Sequence, residues 1–490
     1  MALSNHILTI IEPSIKLDEY TFESFKEEEG KSNISDGLGA EKPLVIINGY
    51  SFGDADIQTL EIDSTGAIPI IKVSLVDNQA FFSVDAFPRD GDVLSLRIAA
   101  RQKDVYKDLR IDFDIDDVQT PAQTTLTSGL ASKFVFTGTM KVPSLYAEVC
   151  KSYPKDTSLN QLQSIAQDLG LGFATNIDAA DDSMNMLIAN DSIMDSIQKR
   201  VEHSYINDES FQTFSIDPYY YLNYVNINHL INSEEDFETI KVNFSQNVTD
   251  VKGIDKDANE SEGALVLTSH SNARGLNTHI EKYALINRSG AFAKLNGYKK
   301  TLQYFENDSN EKLVSFDQEP LSSKSLKDIE EPLKGRRDEE RYKQEVKTKY
   351  MGRIDVDPAT SNTHINHNFA RIHNKQNNDE LQKMILEVQL EGFNPAIHRY
   401  QKLPILIFNE TQKRIQADNQ LKSKKEDKGF EATETSNDNG PSTSVTIDDF
   451  LSGFYVVGGI KYTYKKNTGK IAQTLTLYRR EWPSRLNNIG

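Results

Sequence analysis

Cysteine is nearly absent. Cys150 is the only one in 490 residues, so no disulfide framework forms within the chain and its stability has to come from packing. No run approaches the roughly 18 apolar residues that a bilayer-spanning helix needs. The opening residues Met1 to Glu12 lack the basic region of a secretory signal. These absences lead to the expectation of a soluble chain made in a reducing cytoplasm. Positive charge is also short: 55 Lys and Arg stand against 73 Asp and Glu, a net charge of −18, with a pI near 5.1. A broad basic surface that grips nucleic acid is thereby excluded, and contact with DNA would be passing. The phosphate-loop, zinc-protease, nucleophile-elbow and Cys-x-x-Cys signatures are all missing, and no cofactor is expected.

A chain of this length suggests about three domains. Its first third alternates with period two. Leu109, Ile111, Phe113 and Ile115 take one face of a strand, and Arg110, Asp112, Asp114 and Asp116 take the other. Phe134, Phe136, Met140 and Val142 repeat the pattern, as do Leu94, Leu96 and Ile98. Asn48-Gly49, Thr65-Gly66 and Pro88-Arg89-Asp90-Gly91 supply turns between such strands. Short strands punctuated in this way predict a small antiparallel barrel or sandwich.

From about Pro143 the period becomes helical. A helix is predicted from the Thr157-Ser158 cap through Leu162, Ile165 and Leu169 to Gly170, and a second from Asp191-Ser192 through Ile197 to Val201. A shorter helix is expected to hold Leu145, Val149 and Cys150, with Cys150 as a small buried hydrophobe. Strands return at Phe211 to Ile216 and in the run Tyr219 to Ile227, where alternation would place half of the tyrosines in the core. The region from Asp255 to Asn378 is irregular, and its charge-dense stretch Lys324 to Lys349 reads as a solvated helix or loop. Strand patterning resumes at Met384 to Leu390. Thr411 to Ser444 reads as a mobile loop, and Phe454 to Tyr464 with Ile471 to Tyr478 form a closing hairpin.

The expected architecture is therefore mainly β with an α/β insert: a first barrel over 1–143, the insert over 144–210, and a second barrel over 211–490. The second barrel carries an irregular insertion around 255–378 and a flexible loop at 411–444.

Two groups invite a metal reading. Asp112, Asp114 and Asp116 have the spacing of the start of a calcium loop, but Asp117 stands where that loop requires glycine, and the interleaved apolar residues make the segment a strand with an acidic face. His364, His367 and His373 lack a spaced cysteine or carboxylate partner, so they read as solvated histidines in a polar loop. No metal and no catalytic residue is assigned.

Four phrases in order resemble the hub proteins of contractile-tail baseplates, a family that includes myophage tail hubs, the late control protein D group and the amino-terminal part of valine-glycine-repeat spike proteins. They are Phe81 to Asp92, Ser215 to Asn226, Gly392 to Ile405 and Leu475 to Pro483. The resemblance implies two tube-like antiparallel β-barrels per chain and a homotrimer whose six barrels match a sixfold tail tube while the threefold base takes a central spike. It further implies baseplate wedge proteins as neighbours, genomic DNA passing through the bore without specific binding, and a place in the virion tail. Asp112, Asp114 and Asp116 would then be an acidic channel face that repels phosphate, although the same pattern fits an outer face in bulk water equally well. The hub of a phage-derived protein-injection machine would have the same form. Readings from other classes are a cell-wall hydrolase with β accessory domains and a glycan-binding protein that stacks sugars on Tyr219 to Tyr224.

Overall fold

A computed structural model describes residues 8–17, 43–78, 81–84, 87–89, 91–98, 108–120, 132–232, 265–267, 280–288, 300–305, 313–318, 347–350, 363–364, 366–390, 393–394, 397–409, 446–447 and 451–479. After β1 (Leu8–Ile11), the chain builds a first barrel from β2 (Leu44–Ile47), β3 (Tyr50–Phe52), β4 (Ile57–Asp63), β5 (Ile70–Asp77), β6 (Val93–Ile98), β7 (Leu109–Gln119) and β8 (Ser132–Met140). Their order across the sheet is β4-β5-β8-β7-β6-β2-β3. Asn48 and Gly49, with φ of 52° and 81°, close the β2–β3 hairpin in two residues, and this left-handed pair matches the twist of the flanking strands. The short helix α1 (Phe81–Val84) plugs the barrel. Its Phe82 packs 5.1 Å from Phe134 and 5.3 Å from Phe136, and the buried carboxylate of Asp77 accepts the Phe82 N–H.

The insert follows with β9 (Glu148–Asp156), α2 (Ser158–Asp168), β10 (Gly172–Thr175), β11 (Met184–Ser192), α3 (Ile193–Glu202), β12 (Gln212–Ile216), β13 (Tyr221–Asn226) and α4 (Ile227–Asn232). Thr157 and Ser192 cap α2 and α3 as their sequences predict, each hydroxyl accepting a first-turn N–H. The insert is larger than expected. Its sheet runs β1-β10-β13-β12, so it recruits β1 from the amino terminus and holds β12 and β13, which the sequence reading placed in the second barrel. The predicted helix around Val149 and Cys150 is instead β9, paired antiparallel with β11, because the Met184, Met186 and Ile188 face of β11 supplies a partner that no local signal announces. Arg200 ties the insert together. Its guanidinium donates to Gln161 Oε1 (2.6 Å) and the Asp182 carbonyl (3.0 Å), and Asp182 Oδ2 lies 3.4 Å away.

The remaining elements are β14 (Leu265–Leu267), β15 (Ile280–Asn287), β16 (Lys300–Phe305), β17 (Leu313–Gln318), β18 (Lys347–Tyr350), α5 (His367–Leu381), β19 (Met384–Leu390), β20 (Lys402–Asn409), β21 (Thr446–Ile447), β22 (Gly453–Lys465) and β23 (Lys470–Tyr478). β16, β17 and β18 form a sheet of their own, and β14, β15, β19, β20, β22 and β23 make the second barrel. The expected loop 411–444 and most of the charged stretch 324–349 lie outside the described residues; Lys347 to Lys349 fall in β18.

The two barrels share one sheet, and β22 is the reason. Gly453 to Val456 pair with β20 inside the second barrel, whereas Lys461 to Lys465 pair with Asp63 to Thr59 on β4 of the first. β22 changes partner at a bulge between Val457 and Gly459. Gly458 lies under the Tyr478 ring, and a Cβ on Gly459 would meet the Thr65 Cα at 2.9 Å, so neither position has room for a side chain. Gly459→Ala is expected to push the Ser64–Gly66 turn away from β22 and cost about 2–3 kcal/mol, read as a lowered denaturation midpoint. Gly53→Ala, where an added Cβ meets nothing within 4 Å and the backbone is not left-handed, serves as the comparison for a glycine replaced without a clash.

Candidate functional site

The β4–β5 turn of the first barrel is held from two sides. Arg399 donates to the carbonyls of Ser64 (3.2 Å), Thr65 (3.1 Å) and Gly66, while Ser64 N–H donates to Ile460 O (2.9 Å) on β22. From the insert, Ile216 N–H donates to Ala67 O (2.7 Å). Two of the four sequence phrases, Ser215 to Asn226 and Gly392 to Ile405, therefore meet at one turn of a third segment. The next residue, Asp217, is buried and folds the tyrosine run back on itself, accepting from the N–H groups of Tyr219 (2.9 Å) and Tyr221 (3.1 Å) and from Asn223 Nδ2 (3.0 Å). Burial pushes its carboxyl up to about 6, against the pull of those donors and of the Arg399 guanidinium.

That fold presents Tyr220, at φ 67°, to the acidic strand β7. The Tyr220 hydroxyl accepts the Asp112 N–H at 2.9 Å, and Ser95 Oγ donates to Asp112 Oδ1 at 2.7 Å. Asp112 is only 4% exposed, so it does not belong to an open acidic face. Its position in the alternation is as predicted; the insert has covered that end of the strand. A cavity of about 240 Å³ remains there, walled by Ile15, Lys16, Leu17, Val93, Lys141, Pro143, Asp112 and Tyr220.

Asp114 and Asp116 lie beyond this cover. Asp114 faces Lys141 at 3.9 Å, and its carboxyl is raised by burial, with Lys141 opposing and Asp116 and Asp112 adding to the rise. Asp116 occupies a bulge between the pairs Ile115–Gly138 and Asp117–Thr137 and accepts from Thr139 Oγ1 at 2.6 Å. Register extends this surface across both barrels: Lys461 stands opposite Asp63, Asp63 opposite Ile70, Ile70 opposite Thr139, and Thr139 opposite Asp114. The neighbouring row reads Thr463, Glu61, Lys72, Thr137, Asp117. The face is thus threonine-rich with acids and lysines interleaved. Lys461 lies 2.5 Å from Glu61 and 4.0 Å from Asp63.

Three other expectations are corrected. His364, His367 and His373 are buried, not solvated; the last two sit on α5, which packs against α3 and β12. Cys150 is exposed on β9 and is not a core residue. Tyr220, Tyr221 and Tyr224 offer no stacking platform, since every residue of β13 is buried in a four-stranded sheet and Tyr220 is 4% exposed; Tyr219 is half-buried, edge-on to His398. No group of three or more ligating side chains is arranged for a metal among the described residues.

No family model and no curated protein matches the chain. Among solved structures it is similar to the 43 kDa tail protein of prophage MuSo2 from Shewanella oneidensis, at 8% identity and a TM-score of 0.48, with 90% of this chain and 98% of that one covered. It is similar to a tail protein from Neisseria meningitidis MC58 at 8% identity and a TM-score of 0.46, covering 90% and 97%. A Francisella PdpA–VgrG complex is similar over 95% of this chain and 63% of that one, at 8% identity and a TM-score of 0.40.

Sequence reasoning missed the roles of Asp217, Arg399 and Gly458-Gly459. A Gly-Gly pair inside a β-rich run is a bulge signal and was there to be read. Arg399 carries no local mark. Because the folded-state value of Asp217 lies above its ordinary 3.8, the stability linked to its protonated form is fully present below about pH 4 and is lost as the pH rises through about 6. Asp217→Asn removes that dependence. The stability difference, variant minus wild type, is expected to move in the variant's favour by on the order of 3 kcal/mol between pH 4 and pH 7, measured by denaturant melts at both.

Proposed function

We propose that this chain is a structural hub of a contractile-tail baseplate, acting by assembly and not by catalysis. The observation that carries the reading is the shared sheet: β22 makes the two barrels neighbouring segments of one wall, with their outward rows in register. Three such chains supply six barrels. A closed ring of that kind gives terminal sheet edges a neighbour, which is how β-proteins avoid uncontrolled edge pairing. In this reading the tail tube sits above the ring, the central spike below, and the wedge proteins around it, as part of the virion tail.

The row face becomes the wall of the bore, with Asp114 and Asp116 on it and Asp112 beneath Tyr220. Interleaved Lys461, Glu61 and Asp63 neutralise one another locally, and threonine hydroxyls cover the ground between, so the wall offers a passing DNA duplex no basic stripe to grip. Friction stays low because counterions on the DNA need not be released to the wall.

Light scattering behind a sizing column is expected to give about three times the 55.3 kDa chain mass, alone or on addition of the spike protein. A persistent monomer that ignores tube and spike proteins overturns the reading. In assembled rings, Asp114→Lys with Asp116→Lys is expected to retain duplex DNA at 50 mM salt and release it by 200 mM, where the wild-type ring retains none, measured by co-sedimentation.

A further inference from the structure

The helix α5 is an unusual piece of interior. Its buried positions include His367, Asn368, His373, Asn374, Gln376 and Asn377, so it docks through polar side chains more than through an apolar stripe. Asn374 Nδ2 donates to the carbonyls of Val201 (3.2 Å), Glu202 (3.1 Å) and Ser204 (2.8 Å), which cap the end of α3, while its Oδ1 accepts the Gln212 N–H (3.2 Å). Asn378 Nδ2 donates to Gln212 O at 2.8 Å.

At the start of α5, His367 stacks on His203, with ring centroids 3.6 Å apart and planes 9° from parallel. His364 meets the His367 ring edge-on at 5.6 Å. His203 Nδ1 donates to His367 O (3.0 Å) and His364 Nε2 donates to His203 O (2.8 Å), bonds that neutral rings supply in full. Among the described residues the charged groups that act on the stack are Arg200 and Glu202 of α3, Arg371 of α5, and Asp181 and Asp182 before β11; Asp208 acts on His373. Glu202 lies 3.5 Å from Arg371 and Asp182 3.4 Å from Arg200, so two of these three acids already face guanidinium groups. A proton added to the stack therefore meets a second imidazole at van der Waals distance and two arginines.

We propose that the His203–His364–His367 stack is a proton-sensitive latch: acidification undocks α5 from the insert and frees the insertion bearing β16, β17 and β18, while both barrels stay folded. Burial holds His203 and His373 down to about 4 and His367 to about 2, and it lowers His364 as well. Undocked histidines titrate near 6.5. Since the docked values lie below the undocked one, docking is at full strength above about pH 6.5 and weakens as the pH falls towards 4. Each histidine lowers the docking constant about tenfold per pH unit in that window, so His203, His367 and His373 together lower it about a thousandfold at pH 5.5.

The test is amide hydrogen exchange of the full chain between pH 7.5 and pH 5, corrected for the intrinsic pH dependence of exchange. Peptides spanning 366–382 are expected to lose protection steeply, with a slope of about three protons, while peptides from β4, β5 and β8 keep theirs. His203→Phe with His367→Phe keeps a stacked pair that cannot titrate, and it should flatten the slope to that of His373 with at most His364. Protection of α5 that persists to pH 5, loss of protection in the barrels at the same pH, or a double variant that undocks as steeply as wild type overturns the proposal. If the double variant does not fold, the wild-type slope decides: three protons support the latch, and one or none sinks it.

Discussion

Everything in this molecule depends on one strand keeping two sets of hydrogen bonds. A β-strand satisfies its backbone along both edges, and from Val456 to Lys465 β22 gives one edge to β23 while dividing the other between β20 and β4. Buried backbone groups that lose a ladder partner are costly, so the bulge at Val457 to Gly459 must place the next residues at once within reach of the second barrel. Missing side chains make that possible: the Tyr478 ring and Thr65 occupy the volumes where Cβ atoms of Gly458 and Gly459 would be. The barrels are consequently related by sheet register, and residues such as Lys461 and Asp114, from opposite ends of the chain, fall in one row.

The junction around Arg399 and Asp217 fixes the remaining freedom. A shared strand pair alone twists readily, and a third body resting on both barrels removes that motion. Ile216 from the insert and Arg399 from the second barrel hold the same turn of the first. Arg399 suits the task because a planar guanidinium can donate to several convergent carbonyls at once. Asp217 then turns the chain so that Tyr220 reaches β7. The geometry that joins the domains thus also decides how much of the acidic strand is left open.

Much of the local structure was legible. Period-two alternation located β7, β8, β19 and the β22–β23 hairpin, and the Thr157 and Ser192 caps located α2 and α3, because those signals depend on neighbours within a few residues. Failures occurred where the partner was distant. The expected short helix holding Leu145, Val149 and Cys150 fails because Val149 and Cys150 open β9, which only the distant β11 makes a strand. The histidines of α5 were read as solvated since nothing nearby announces that α3 and β12 will cover them.

The sequence by itself determined which residues alternate, where helices begin, that no disulfide could form, and that the charge balance would be acidic; these follow from composition and from spacings of two to four residues. Only the tertiary structure decided that Asp112 is buried while Asp114 and Asp116 remain at the surface, that β1, β12 and β13 join the insert, and that two barrels share a sheet. Burial and strand partnership are properties of pairs of segments far apart in the chain, such as Tyr220 with Asp112 and Lys461 with Asp63. A one-dimensional pattern states which face a side chain takes, and the packing of remote segments determines what lies against that face.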